Sequence, residues 1–405
     1  MGERPVLLLV LSRRHRFTRH VQERPDIETV LLRPEGSTVE APPGGHVFTL
    51  PAGQPPRAQA ARLRSWLDER ALPRPNRFCN PDESAQAPAH AFAAAAGLPH
   101  LSPGQVRAAT DKLAMKELFA AAGLPAARHR RITTAAQAGD FARETGGPVV
   151  VKPAVSGSSR DVWKVDGGDL SALDHALRDG ADRAWLAEEY VPGTEHQLCA
   201  LVHEHEVLDA YVAVNPAPVL DAQRGAMNAD ITLAPSERAP VEARAVAQGL
   251  VKALGLEHGY LHAEFFVRPD GSFVMGEVAA RIGGAELPTS HGLSRGFDML
   301  AATADVYTGR RPELTYTRDG SAGHLLLPVR PGRVRAVSAP DELTRLPGVV
   351  SAEVTARPGD VLARPLTSSA STGVVHVEGP DSSVVRERME EVLSRFRLEV
   401  TAEAA

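Results

Sequence analysis

The sequence predicts an α/β protein built from more than one domain. Over the first hundred residues, apolar runs of strand length alternate with helix-length patterns. The length, 405 residues, allows about two or three domains. From about residue 310 onward the chain changes to short strand-like runs separated by Gly and Pro turns.

In chain order, the apolar run at residues 6–11 reads as a first buried strand. It is too short for a secretory segment and runs straight into Arg13, Arg14, His15 and Arg16. That basic run sits where open α/β sheets receive ligands, although charge runs are more commonly solvated loops. Strand-like runs at 29–32 and 47–50 and helical patterns at 58–70 and 85–96 complete an N-terminal α/β domain over residues 1–100. A second domain, 101–310, opens at Ser102-Pro103, an N-cap followed by proline at the first helical position. In its next helix Met115, Leu118, Phe119 and Ala122 share one face and Lys112 lies in the first turn, before Gly123 and Pro125 end it. An apolar strand at 148–151 delivers Lys152, followed by a Gly/Ser loop at 156–160; a strand at 184–187 leads into Glu188, Glu189, Val191 and Glu195. Strands at 324–329, 333–337, 349–354 and 373–377 and a charged helix at 383–396 give an α+β C-terminal domain, 311–405.

Composition narrows the function. A net charge of −5 and a pI near 6.3 give no basic field for a nucleic-acid backbone. No run approaches the roughly 18 apolar residues of a membrane span. Two distant cysteines, Cys79 and Cys199, suit a reducing compartment, which points to the cytoplasm. Neither a G-x-x-x-x-G-K-[ST] nor a G-x-G-x-x-G run occurs, so the P-loop and dinucleotide folds lack their phosphate cradle. His203-Glu204-His205-Glu206 lacks helical i, i+4 histidines and reads as a polar hairpin turn, and Cys199 as a small buried hydrophobe.

The most informative segment is 262–278. Asp270-Gly271 between two alternating runs predicts a two-residue hairpin loop. Counting back from it places Glu264 opposite Glu277, with Phe265, Val274 and Val278 on the other, apolar face. Opposed carboxylates repel, so a hard divalent cation such as Mg²⁺ is expected between them. Arg281 returns to the same face if the strand stays extended, and His262 shares it.

Lys112, Lys152 before its Gly/Ser loop, Glu188 with Glu195, and Glu264, Glu277 and Arg281 stand in the order and spacing of the ATP-grasp superfamily. Within it the chain resembles the carboxylate-amine ligases that include L-amino acid dipeptide ligases and carnosine synthase. The resemblance spans nearly the whole chain. It implies an ATP-grasp fold with a Rossmann-like N-terminal domain, a mobile lid at about 126–185 and a small α+β C-terminal domain. By that resemblance Lys112 and Lys152 contact ATP. Glu188, Glu189 and the backbone near Val191 belong to the adenine edge, and Glu195 meets the ribose. Ser156, Gly157, Ser158 and Ser159 close over the phosphates. Glu264 and Glu277 hold Mg²⁺, with Mn²⁺ as an alternative. Arg281 stabilises the acyl phosphate, near Gly283, Gly284 and His262 on the substrate side.

Of 45 basic residues only five are lysine (Lys112, Lys116, Lys152, Lys164 and Lys252), and two of these hold the two positions where the superfamily uses lysine. The chain departs from the pattern at Ala279, where asparagine is usual, and at Asp161, where glycine is usual. The implied reaction joins a carboxylate and an amine, expected to be amino acids, through an acyl phosphate, releasing ADP and phosphate. A carboxylase or purine-pathway ligase of the same superfamily, and a nucleotide-binding protein without turnover, are the alternatives. A homodimer is compatible with the sequence.

Overall fold

In the computed structural model, described for all residues except 1–3, 13, 14, 84, 158, 167, 169, 223, 224, 285 and 402–405, the N-terminal strands form one parallel sheet. Its order is His46–Leu50, Glu28–Pro34, Val6–Val10, Arg77–Cys79. All five residues of Val6–Val10 are buried, as expected of a strand covered on both faces. Val6, Leu8 and Val10 pack under the helices Pro56–Asp68 and Gln86–Ala96. Leu7, Leu9 and Leu11 share a core with Cys199, Leu201, Tyr211 and Tyr260 of the central sheet.

That central sheet has eight antiparallel strands in the order Phe273–Ala279, Gly259–Val267, Thr194–His203, Glu206–Val214, Asn228–Thr232, Ser321–Leu326, Gly373–Gly379, Val349–Val354. The change of sequence character near residue 310 therefore does not interrupt the sheet, because Ser321–Leu326 pairs directly with Asn228–Thr232. One face is covered by the helices Lys112–Ala121 and Ala243–Leu254, which bury Phe119, Leu250, Leu261, Phe265 and Val278. A smaller sheet, ordered His129–Ile132, Trp185–Glu189, Val149–Pro153, Trp163–Val165, has its own core of Ile132, Phe141, Val149, Val151 and Trp185. Among the described residues no helix is long and apolar enough to cross a membrane.

The hairpin at 259–279 corrects the sequence reading in an instructive way. Its loop is Pro269-Asp270-Gly271, closed by Arg268 N–H donating to Ser272 O at 2.8 Å, with Gly271 at φ +83°. This loop is one residue longer than expected, and by itself it would put Glu264 out of register with Glu277. A bulge restores it: Phe265 pairs with Met275 and Glu264 with Glu277, leaving Gly276 as the extra residue. The two glutamates are opposed as expected. The longer loop puts Val274 opposite Phe266, on the face of Glu264 and off the apolar face assigned to it with Phe265 and Val278, and the bulge brings Glu277 to that same face.

Glu204 and His205 occupy the two positive-φ positions of a hairpin turn, at +51° and +61°. Gly193, at φ +154°, joins the smaller sheet to the central one where a Cβ would lie 2.1 Å from Val267 O. The obstruction is backbone, which cannot swing away. Gly193→Ala should therefore lower stability by about 2 kcal/mol or more, as overpacking and strain add, read as the loss of melting temperature in thermal unfolding.

Candidate functional site

Strand alternation aims the first lysine. In Val149–Pro153 the residues Val149 and Val151 point into the core of the smaller sheet, so Val150 and Lys152 point the other way. On Lys112–Ala121 a side-chain N-cap from Asp111 starts the helix. Lys112 and Lys116, four residues apart, then project from one face. The glutamates come from Trp185–Glu189 and from the hairpin.

These side chains form an alternating chain of charge. Lys116 Nζ is bonded to Glu188, Lys152 Nζ lies 3.0 Å from Glu188 and 3.1 Å from Glu277, and Lys112 Nζ lies 3.4 Å from Glu277. Lys116 also donates to Gly276 O at 3.0 Å, and Lys112 to Ser156 O at 2.6 Å. Burial alone would push both carboxyl groups up, yet Lys112 and Lys152 hold Glu277 at about 2, and Lys116 and Lys152 hold Glu188 below its ordinary value. Lys152, buried but between two carboxylates, is raised; burial pulls Lys116 down against the pull of Glu188.

Glu264 and Glu195 have no ion-pair partner among the described residues, and the charge of Lys152 only partly offsets their burial. Burial, with the charges of Glu277 and Glu195, pushes Glu264 up to about 8. Burial raises Glu195 to about 7, against the Val219 N–H that its Oε2 accepts at 3.1 Å. The repulsion expected between Glu264 and Glu277 is thus relieved by lysines on one and a proton on the other. A hard cation fits the same pair, displacing the proton. Among the described residues no three His, Cys, Asp or Glu side chains gather into a metal cage. The protein would offer such a cation two carboxylates, Glu264 and Glu277, which are the hard oxygen donors it takes.

A cavity of about 250 Å³ opens onto this chain. Lys112, Lys152, Ser156, Glu195, Glu264 and Glu277 line its polar side; Val150, Tyr190, Val191, Phe266, Val274 and Met275 line the apolar side. Lys164, a fourth of the five lysines, also lines it, 3.7 Å over the Tyr190 ring. Gly157 and Ser159 border it, while Ser158 lies outside the described residues. Ser159 and Asp161 sit at φ +54° and +56°. The glycine usual at Asp161 would adopt that conformation without strain, and aspartate is among the residues that tolerate it; Asp161 is further held by Arg183 at 2.7 Å.

Several expected positions have partners of their own or lie away from the cavity lining. The Glu188 carboxylate is clamped between two lysines rather than left for an adenine edge. Glu189 borders the cavity, but its carboxylate pairs with Arg128 at 3.0 Å. His262 is buried and bonded through Nε2 to Gln197 at 2.7 Å, outside the cavity lining. Gly283 is packed against Leu287, His262 and Cys199, whereas Gly284 faces open space. Arg281 does not continue the strand, which ends at Ala279; it follows a bend and pairs with Glu83 of the N-terminal layer. Cys199 is buried and its thiol is pushed up to about 12, consistent with the structural role assigned to it.

Sequence reasoning missed Lys116, although the scarcity of lysine was a signal for it. It also missed Glu83, Gln197, Asn215 and Asp230, for which composition and spacing held no signal. The last three form a row, buried at Gln197 and Asn215, in which Gln197 donates to Asn215 at 3.0 Å and Asn215 to Asp230 at 2.9 Å.

A model of L-amino acid ligase C-terminal domain 2 matches residues 324–401. An L-arginine-specific L-amino acid ligase of Bacillus subtilis is 22% identical over 64% of this chain and 64% of its own. A D-alanine–D-alanine ligase of Streptomyces griseus subsp. griseus is 29% identical over 45% of this chain and 51% of its own. The chain thus spans between about half and two thirds of the length of these curated relatives. The crystal structure of an L-amino acid ligase from Bacillus licheniformis matches at a TM-score of 0.78 and 19% identity, covering 99% of this chain and 100% of that one. That of N5-carboxyaminoimidazole ribonucleotide synthetase from Thermotoga maritima matches at 0.71 and 14% identity, covering 98% and 100%.

A carboxyl group raised in the fold stabilises it below its unfolded value, near 4.5, and that contribution is lost as pH rises through the folded value, about 8 for Glu264. With a chelator present, the melting temperature should therefore decline between about pH 4.5 and 8, more steeply than in Glu264→Gln. Parallel profiles for the two proteins would refute this electrostatic account.

Proposed function

We propose that this chain, which has the ATP-grasp fold, is an ATP-dependent carboxylate–amine ligase that joins amino acids. The observation that carries the reading is the alternating lysine–glutamate chain, with an apolar slot on one side of its cavity and two ionisable carboxyl groups on the other. The names of the relatives support the reaction class and the amino acid substrates.

In this reading the adenine lies in the slot of Val191, Phe266 and Val274, near the backbone of 189–191, with the ribose at Glu195 and the phosphates along Lys112 and Lys152. The loop at 156–160 covers them. Lysine suits this place because its compact charge can shift from a carboxylate to a phosphate oxygen with little movement. A substrate carboxylate oxygen bonds to the γ-phosphorus as the bond to ADP breaks. The amine then attacks the acyl carbon, the C–N bond forms, inorganic phosphate leaves and the amine gives up a proton. Mg²⁺ or Mn²⁺ held by Glu264 and Glu277 would neutralise phosphate charge. Arg281 would stabilise the acyl phosphate, with the Gly283 and Gly284 amides on the substrate side.

Turnover should depend on an amine and release ADP and phosphate, identified by chromatography of the nucleotides; AMP as the main product would overturn the mechanism, and bicarbonate dependence would mark a carboxylase. Glu277→Gln should lower turnover at least about a hundredfold, as for loss of a preorganised electrostatic contact. Hydrogen exchange in residues 156–160 should slow when ATP and Mg²⁺ bind if 126–185 is a lid, and unchanged exchange at saturating nucleotide would count against that motion.

A further inference from the structure

A second cavity, of about 470 Å³, lies at the amino ends of the parallel N-terminal strands and shares no lining residue with the cleft. Arg4, Asn76 and Arg77 border it where Val6–Val10 and Arg77–Cys79 begin, and Asp26 just ahead of Glu28–Pro34. Gly309 and Arg310 border it from the other side, where the chain leaves the helix Met299–Tyr307. That helix packs on the central sheet, its Met299, Ala302 and Val306 sharing a core with Leu201 and Tyr260. The cavity thus lies between the N-terminal layer and the domain that holds the cleft.

Its charges are matched except at one residue. Arg24 and Arg310 are shared between Asp26 and Asp305, so two guanidinium groups face two carboxylates in a closed set. Arg4 pairs with Glu28 at 3.3 Å, with 54% of its side chain exposed, so that bond is weak and easily exchanged. Arg77 has no carboxylate partner among the described residues; its Nε donates to Thr308 O at 2.9 Å and its Nη1 to Asn76 O at 2.8 Å. The carbonyl end of a helix attracts a cation, which accounts for the contact of Nε with Thr308. Nη2 instead lies against Gly309, at φ +77°, where a Cβ would come within 3.2 Å of it and 3.0 Å of Nε. The lack of a side chain there lets the guanidinium lie at the cavity wall. A partly buried cation held only by carbonyls still wants an anion, and its planar fork fits two oxygens of a carboxylate or phosphate.

We propose that this cavity binds the anionic head group of a small polar molecule, a phosphate ester or a carboxylate, through Arg77, with Arg4 turning from Glu28 to close on it. The volume is that of a small-molecule pocket, so it has room for more than the head group. The wall beyond the guanidinium groups is polar at Asn76 and Asp26, which suits a hydroxylated or amino-bearing remainder. A ligand held there from both sides ties the N-terminal layer to the central domain and stabilises the fold by linkage. The assignment is independent of the ligase reading.

The full-length protein is titrated with inorganic phosphate, glycerol phosphate and succinate, each against sodium chloride of equal ionic strength, with melting temperature and calorimetry as readouts. The proteins compared are wild type, Arg77→Gln, Arg77→Lys, Arg4→Gln and, to separate binding in the cleft, Lys112→Gln. Wild type should show a saturable rise in melting temperature beyond that in chloride. Arg77→Gln should weaken binding at least about tenfold, as loss of a charge-assisted bond does. Arg77→Lys, which keeps the charge without the fork, and Arg4→Gln should weaken it less, while Lys112→Gln should leave it unchanged. A tighter response to the two phosphates or to succinate identifies the head group. Should Arg77→Gln fail to fold, Arg4→Gln, at an exposed position, decides: undiminished binding there overturns the site. If Arg77 were only a brace on Thr308, Arg77→Gln would lower the melting temperature but wild type would respond to no anion beyond chloride. That result, or binding lost in Lys112→Gln and kept in Arg77→Gln, also overturns it.

Discussion

Everything in the cleft depends on three lysines, Lys112 and Lys116 buried and Lys152 partly so, beside two carboxylates. A buried ammonium group is costly unless it is paired, and so is a buried carboxylate. Alternating the signs along Lys116, Glu188, Lys152, Glu277 and Lys112 lets each interior charge have two partners of opposite sign. The chain draws on a helix, the smaller sheet and a hairpin of the central sheet, so it closes only when these elements pack together. Its two ends differ. Lys116, at the inner end, is almost fully enclosed and also bonded to backbone; Lys112, at the outer end, faces the cavity through Ser156. The inner end is enclosed by protein and the outer end borders the cavity.

The bulge at Gly276 decides what the cavity is. Without it, the three-residue loop at 269–271 would put Glu277 opposite Ala263, on the helix-covered face, while Val274 stayed opposite Phe266. With it, Val274 and Phe266 stand beside Glu264 and Glu277 on one face. An apolar slot and a pair of carboxyl groups thus share a wall, which a molecule with a flat ring at one end and phosphates at the other requires. Gly276 suits the position because a side chain there would press on Phe266 Cε2 at 3.2 Å and Glu264 O at 3.3 Å.

Charge also divides the carboxyl groups into two kinds. Glu188 and Glu277 are ionised by their lysines, whereas Glu264 and Glu195 keep protons up to about 8 and about 7 in the absence of a cation. Three lysines thus face two ionised carboxylates, and ionisation of Glu264 or Glu195 would change the charge of the site. The Asp161 departure has a local account of the same physical kind, a left-handed backbone position tolerated by aspartate and tied down by Arg183. Nothing in the structure explains Ala279.

Local pattern was enough for what is local. Alternation in 149–153 determined that Lys152 leaves the core, the helical stripe of Met115, Leu118 and Phe119 determined the buried face of its helix, and the Asp-Gly turn located the hairpin. The ordered spacing of lysines and glutamates carried the fold. The opposition of Glu264 to Glu277 was legible too, though through two errors of one residue that cancel, a longer loop and an unseen bulge. Contacts between distant segments were decided by tertiary structure alone. Glu83 and Arg281 are 198 residues apart, and Lys116 and Glu188 are 72 apart. No periodicity relates such pairs, since their meeting depends on how whole layers pack. For that reason Lys112, Lys152, Glu195, Glu264 and Glu277 of the wall were readable from the sequence, while the apolar residues beside them and the partner each charge takes were settled only when the N-terminal layer, the smaller sheet and the hairpin came together.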